Sequence, residues 1–140
     1  MNNLNPNTSV VPVIGRVLLA TIFILSGAGK LAAPATTIGY IASSGLPAAP
    51  LAMALAVAVE LGGGLMLALG FRVRLVAAAL AAFSIVTGLA FHHAVADQNQ
   101  MIHLLKNFAM AGGLLQVVAF GAGAYSLDNR ASVKNGRRTA

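Results

Sequence analysis

The chain has 140 residues, of which 58% are hydrophobic and 9% are charged, and its mean hydropathy is +0.82. A soluble domain carries about 25% charged residues, so this composition excludes an ordinary water-soluble protein and predicts a small integral membrane protein. The net charge is +6, but the basic residues flank apolar segments and no groove-reading motif accompanies them, which argues against nucleic-acid binding. There is no cysteine, which excludes disulfides, thiolate metal sites and an internal dithiol relay.

Four apolar segments follow one another along the chain, over about residues 10–29, 50–70, 75–91 and 102–124. At a rise of about 1.5 Å per residue, about 20 residues cross a hydrocarbon core of about 30 Å. Only a helix satisfies its own backbone hydrogen bonds in such a single segment. The sequence therefore predicts an all-α, integral membrane four-helix bundle, formed by one domain over residues 1–128.

The distribution of basic residues predicts the orientation of this bundle. The C-terminal segment contains Arg130, Lys134, Arg137 and Arg138, and the loop between the second and third segments contains Arg72 and Arg74. The opposite loops contain only Lys30. Because cytoplasmic loops are rich in Lys and Arg, both termini are predicted to face the cytoplasm. Residues 129–140 are predicted to be a disordered tail near anionic headgroups, and the loop after the first segment is predicted to contain a short interfacial helix.

Glu60 stands near the middle of the second segment, inside the otherwise apolar stretch LAVAVELGGGLMLALG. A charge at that depth costs about 2.5–3.5 kcal/mol on insertion scales. One interpretation is a structural carboxylate, tied to a basic partner or kept neutral. The other is a group that handles a proton or a ligand, which is the usual role of ionisable residues inside membranes. Both interpretations stay open from the sequence.

A polar stripe on the first segment offers a partner for Glu60. At 100° per residue, a narrow arc contains Arg16, Ala20, Phe23, Gly27 and Lys30. An ion pair between Arg16 and Glu60 is the favoured prediction, although Arg16 has to cover about 7 Å of depth. The alternative is that Arg16 extends to the cytoplasmic headgroups.

The fourth segment opens with IHLLKNFAMAGGLL, in which one helix face contains His103, Lys106, Asn107 and Met110. Lys106 and Asn107 can hydrogen-bond the carbonyl of a lipid-soluble ligand, or Lys106 can reach Glu60 from the outer side. The alternative for Lys106 is a lysine that extends to the interface.

Three histidines, His92, His93 and His103, are predicted to gather on the outer side. Imidazoles bind divalent metals, and two facing histidines can hold a haem. However, their spacing matches no strong metal motif, and adjacent histidines at a helix end do not easily face the same metal. The favoured interpretation is interfacial histidines without metal or haem.

Several stretches resemble the DoxX family. They are GRVLLATIFILSGAGKL in the first segment, ELGGGLMLALGFRVR across the second, LLKNFAMAGGLL in the fourth, GLP before the second and SLD after the fourth. The resemblance covers Ile14 to Asp128 and implies a small, multi-pass protein of the bacterial inner membrane. The family is named after a subunit linked to quinone-dependent sulfur oxidation, and other members resemble membrane anchors of redox assemblies. The family's polar positions fall on Arg16, Lys30, Glu60, Lys106 and Asn107.

Three functions are weighed on these observations. The first is a membrane subunit of a quinone-linked redox assembly, with a quinone between helices near Glu60 and Lys106. Its electrons come from a redox partner protein, so the chain is not an enzyme alone. The second is a structural adaptor in which a buried ion pair locks the bundle. Association with further copies of the chain stays an open alternative. The third is a small-solute or proton pathway.

Overall fold

Four long helices form the molecule. They are Val11–Ala32, Ala49–Leu69, Val73–Phe91 and Gln98–Phe120, called here the first to fourth spans. The computed structural model describes residues 10–136, with side chains up to residue 133. The spans have 22, 21, 19 and 23 residues and mean hydropathies of 2.0, 2.0, 2.0 and 1.3, so each is long and apolar enough to cross a membrane. The predicted all-α four-helix membrane fold is confirmed.

Each span runs opposite to its neighbour in the chain, so the helix ends gather at two ends of the bundle. One end, called here the arginine end, contains Val11, Leu69, Val73 and Phe120, with Arg72 and Arg74 beside them. The other, called the histidine end, contains Ala32, Ala49, Phe91 and Gln98, with His92 and His93 beside them. That the arginine end faces the cytoplasm stays a prediction.

Asp128 caps the third span from a distant part of the chain. The backbone N–H of Arg72 donates to Oδ1 of Asp128 at 2.7 Å, and that of Val73 donates to Oδ2 at 2.8 Å. A carboxylate at this position satisfies N–H groups that the helix start leaves unpaired and interacts favourably with the helix dipole. The third span therefore begins at Val73 rather than at about residue 75.

Asp97 caps the fourth span in the same way. Its side chain accepts the backbone N–H of Gln100 at 2.9 Å, and the helix begins at Gln98 rather than at about residue 102. At the other end, Gly121 has a φ of 81°, so the helix stops at Phe120 rather than at about residue 124. One acidic cap and one glycine stop thus fix the two ends of this span.

Two shorter helices accompany the spans. Pro34–Ser43, called the surface helix, lies where the sequence predicts a short helix after the first span. Leu127–Gly136 follows the fourth span, so the predicted disorder is wrong for residues 129–136. Asp128 and Ser126 hold the start of this C-terminal helix, because Asp128 N donates to Gly70 O and Ser126 Oγ accepts from Asn129 N. Arg137 and Arg138 lie outside the described residues.

Small residues let the first two spans pack closely. The buried face of the first span consists of Arg16, Ala20, Phe23 and Gly27, which are four of the five residues of the predicted stripe. A Cβ added to Gly64 would lie 2.8 Å from Ile24 Cγ1 and 3.3 Å from Ala20 O. Such close backbone contact takes the place of a hydrophobic driving force inside lipid.

Asp128→Ala is expected to lower the free energy of unfolding by about 1 kcal/mol, because the third span loses its cap. Asp128→Asn keeps an acceptor oxygen and should lose less. Reversible unfolding in mixed detergent micelles measures the difference. Ser132→Ala is the control, since the Ser132 hydroxyl donates only to Asp128 O of the same helix. An equal loss in the control would contradict the capping role.

Candidate functional site

The Glu60 carboxylate is paired with Lys30. Lys30 Nζ donates to Glu60 Oε1 at 2.9 Å and Oε2 at 2.8 Å. It also donates to Ser26 Oγ at 2.8 Å, and Ser26 Oγ donates to Glu60 Oε1 at 3.2 Å. The Glu60 side chain is 7% exposed and that of Lys30 is 24% exposed. The pair joins the first and second spans and removes the cost of an isolated charge in the bilayer.

The direction of helical side chains explains why Lys30 is the partner. Side chains on a helix lean toward its N-terminus. Lys30 therefore leans back toward the middle of the first span, and Glu60 leans toward the histidine end, so the two meet. Arg16 leans away, toward the arginine end. The predicted pair of Arg16 and Glu60 is wrong, as is the alternative with Lys106.

Arg16 instead ties the arginine end together. Its guanidinium donates through Nη1 to Ala122 O and through Nη2 to Tyr125 O, at 3.1 Å for the second bond. The residue is 1% exposed. A Cβ on Gly70 would lie 2.8 Å from Arg16 Nη1, so the glycine leaves room for the guanidinium. Arg16 therefore does not extend to the headgroups and is a structural residue of this end.

Glu60 lies within an irregular turn of the second span. Residues Ala58–Gly62 form a π-helical turn, an insertion that is frequent at functional sites. Gly27 faces this turn, and a Cβ there would lie 2.8 Å from Leu61 Cγ and 3.2 Å from Glu60 Cβ. The first span therefore contacts the turn with bare backbone, which places Lys30 and Glu60 side by side.

A cavity of about 440 Å³ opens beside the ion pair, toward the histidine end. Its walls come from all four spans and from the surface helix. The polar lining comprises Ser26, Lys30, Thr37, Tyr40, Glu60, Ser84, Thr87, His92, Lys106 and Asn107, and the apolar lining includes Ile22, Phe23, Ala56, Phe83, Phe91 and Met110. Four of the six predicted site residues thus face one space, while Arg16 and His103 do not line it. The volume falls within the range of about 300–1,000 Å³ that is typical of small-molecule sites.

The fourth span presents two polar groups to this cavity. Lys106 Nζ lies 3.0 Å from His103 Nδ1, and Asn107 Nδ2 donates to His103 O at 2.9 Å. A lysine ammonium has three donors and an amide has two donors and an acceptor oxygen. Both side chains therefore keep hydrogen-bonding capacity for a ligand in the cavity.

The three histidines do not converge. The rings of His92 and His103 stack with centroids 4.9 Å apart and planes at 23°. His92 Nδ1 is bonded to Gln100 Oε1 at 2.9 Å, and His93 is exposed. Across residues 10–133, no three His, Cys, Asp or Glu side chains lie together as metal ligands do.

The chain is similar to known membrane proteins along most of its length. The DoxX family model matches residues 11–93, which include Arg16, Lys30 and Glu60. The chain belongs to the DoxX family. It is 34% identical over 115 residues to the inner membrane protein YqjF of Escherichia coli, covering 82% of this chain and 87% of that protein. It is 33% identical over 126 residues to the inner membrane protein YphA of the same organism, covering 86% and 90%. No solved structure matches it significantly.

This DoxX-family chain is therefore a multi-pass protein of the bacterial inner membrane, as the sequence predicts. One residue of the site and one cap at the arginine end were not found from the sequence. Ser26 lies one helical turn before Lys30, and that i, i+4 spacing was the available signal. Asp128 belongs to the SLD stretch after the fourth span, and the rarity of acidic residues in this chain marks it, since there are only three.

Proposed function

We propose that this DoxX-family protein binds a lipid-soluble ligand of the quinone class in the cavity beside Glu60, as the membrane subunit of a redox assembly. The observation that carries the proposal is the meeting of an acceptor on the second span with donors on the fourth, across an apolar-walled space. Ligand sites of this kind combine mostly apolar walls with a few placed polar groups.

The unused hydrogen-bond donors and acceptors in the cavity match a ring that carries one oxygen on each of two opposite sides. Lys30 uses its three protons on Ser26 and on both oxygens of Glu60. Glu60 Oε2 accepts only from Lys30, so it has a lone pair left for a hydroxyl. On the opposite wall, Lys106 and Asn107 have donors left for a carbonyl. A quinone carbonyl and a quinol hydroxyl are groups of these two kinds.

The residues then have distinct roles. Lys30 holds the Glu60 carboxylate in place, and Lys106 and Asn107 polarise the carbonyl. Glu60 accepts one hydroxyl proton when a quinol is oxidised and returns it when the quinone is reduced, and the second proton is exchanged with solvent. Full reduction of a quinone takes two electrons and two protons, and we assign the electrons to a redox partner protein. The chain is then the binding subunit of that assembly rather than an enzyme alone.

The adaptor function is the second candidate, and one observation favours it. The ion pair is almost fully satisfied by Lys30, Glu60 and Ser26 themselves, as in a purely structural lock between two spans. Buried ion pairs of this type fix one packing arrangement without adding much stability. In that case the cavity is a packing defect, and the loops or the C-terminal segment bind partner proteins.

Quinone content separates the two functions. The protein is purified in mild detergent and extracted with organic solvent, and quinone per chain is measured by mass spectrometry. We expect near-stoichiometric quinone in the wild type. In Asn107→Leu, we expect affinity for added short-chain ubiquinone to fall about tenfold or more, because a donor and an acceptor in the cavity are lost.

Gln116→Leu is the matched control, since Gln116 is an exposed amide of the same span that does not line the cavity. It should retain wild-type quinone. If the wild type holds no more quinone than an unrelated four-helix membrane protein, the quinone proposal fails and the adaptor function replaces it.

A further inference from the structure

A second cleft lies at the arginine end, on the opposite side of the bundle from the cavity beside Glu60. Its volume is about 820 Å³. The ends of the third and fourth spans, the turn between Phe120 and Ser126, and the start of the C-terminal helix form its walls. Its lining includes Arg72, Arg74, Leu75, Phe120, Gly121 and Asp128.

The cleft presents positive charge whose donors are free. Among the described residues, the ion pair found is that of Lys30 with Glu60, so neither Arg72 nor Arg74 is neutralised by a carboxylate. The acid in the cleft, Asp128, has its two oxygens occupied by backbone N–H groups. Each guanidinium offers five N–H donors in a rigid fork that matches a phosphate.

The backbone holds the two arginines in place. Arg72 adopts a φ of 45°, which a non-glycine residue takes only where its surroundings enforce it, and its guanidinium lies 5.9 Å from the centre of the Phe71 ring. Gly121 has a φ of 81°, and a Cβ there would lie 3.4 Å from Arg74 Nε. Because Gly121 has no side chain, the Arg74 side chain can lie against the backbone of this turn, inside the cleft.

Apolar side chains flank these charges. Leu75 is 66% exposed and Phe120 is 79% exposed, and both lie on the lipid-facing lengths of their spans next to the cleft. The cleft is therefore amphiphilic, because positive charges lie next to exposed apolar side chains. We propose that this cleft binds an anionic phospholipid, with its phosphate on Arg74 and Arg72 and its acyl chains along Leu75 and Phe120.

The test uses the delipidated full-length protein, titrated with dioleoylphosphatidylglycerol and followed by native mass spectrometry. We expect Arg74→Gln to lower the affinity about tenfold or more, because a charged fork to the phosphate is lost. Arg74→Lys keeps the charge without the fork and should lie between the two. Arg130→Gln is the matched control, since Arg130 is an exposed arginine at the same end outside the cleft lining.

Two further measurements distinguish a phospholipid from free phosphate as the ligand, and both use the unmodified protein. In the wild type, phosphatidylglycerol should bind more tightly than phosphatidylcholine, and millimolar inorganic phosphate should not displace it. Equal affinity for the two lipids, or an equal loss in Arg130→Gln, would overturn the proposal in favour of a nonspecific basic surface. Displacement by inorganic phosphate would overturn it in favour of a soluble phosphate ligand.

Discussion

Lys30→Met is expected to lower the free energy of unfolding by about 3–5 kcal/mol. Methionine keeps most of the side-chain volume but leaves the Glu60 carboxylate buried without a cation, and breaking a buried pair in this way costs that amount. Reversible unfolding in mixed detergent micelles at neutral pH provides the measurement.

The double variant Lys30→Met with Glu60→Leu should recover most of the loss, since replacing both members of a buried pair by apolar residues is often nearly neutral. Lys106→Met is the control, an exposed lysine on another span, for which a change within about 0.5 kcal/mol is expected. If Lys30→Met costs no more than this control, Lys30 does not hold Glu60 in the folded protein.

The spans could be predicted from the sequence, because their hydropathy and length are properties of the chain alone. Their ends could not be placed as well. Asp128 starts the third span from 55 residues away, and no local pattern around Val73 contains that contact. Asp97 is a local cap, yet the polar residues that follow it, Gln98 to Gln100, hide the start of the fourth span from a hydropathy pattern.

Lys30 and Glu60 were both singled out from the sequence, but they were not paired with each other. Buried ionisable groups stand out in an apolar sequence, so Glu60 and Lys30 could be found by type alone. Arg16 was favoured as the partner of Glu60 because it lies on the polar stripe of the first span and because an unpaired charge is costly in the bilayer. That choice ignored the lean of helical side chains toward the N-terminus. The π-helical turn at Ala58–Gly62 also changes the helix phase after Glu60, and the spacing of the sequence does not reveal such an insertion.

For the fourth span, the sequence predicted the helix face that lines the cavity, but not which residues of that face reach it. Lys106, Asn107 and Met110 share a helix face by spacing, and the structure places all three on the cavity wall. His103 shares that face in the sequence, but it stacks on His92 outside the lining. Periodicity gives the face of a helix, whereas the neighbouring span decides which residues of that face reach the cavity.

Arg16→Gln is the second large expected effect: a loss of about 3 kcal/mol or more in the free energy of unfolding. The change removes a charged donor from two backbone carbonyls, those of Ala122 and Tyr125, and each such bond is worth about 1.5–3 kcal/mol. Glutamine is shorter and uncharged and cannot reach both carbonyls. Hydrogen exchange should show the amides near Gly121 opening first, because that turn loses its tie to the first span.

A double-mutant cycle then decides between this role and a bond to Glu60. Arg16 and Glu60 belong to separate clusters at different depths, so the effects of Arg16→Gln and Glu60→Gln should add within about 0.5 kcal/mol. Lys30→Met and Glu60→Leu remove the two members of one ion pair, so their effects should be strongly non-additive. A coupling between Arg16 and Glu60 as large as that between Lys30 and Glu60 would contradict the structure, since it requires the guanidinium to lean toward the C-terminal side of its helix.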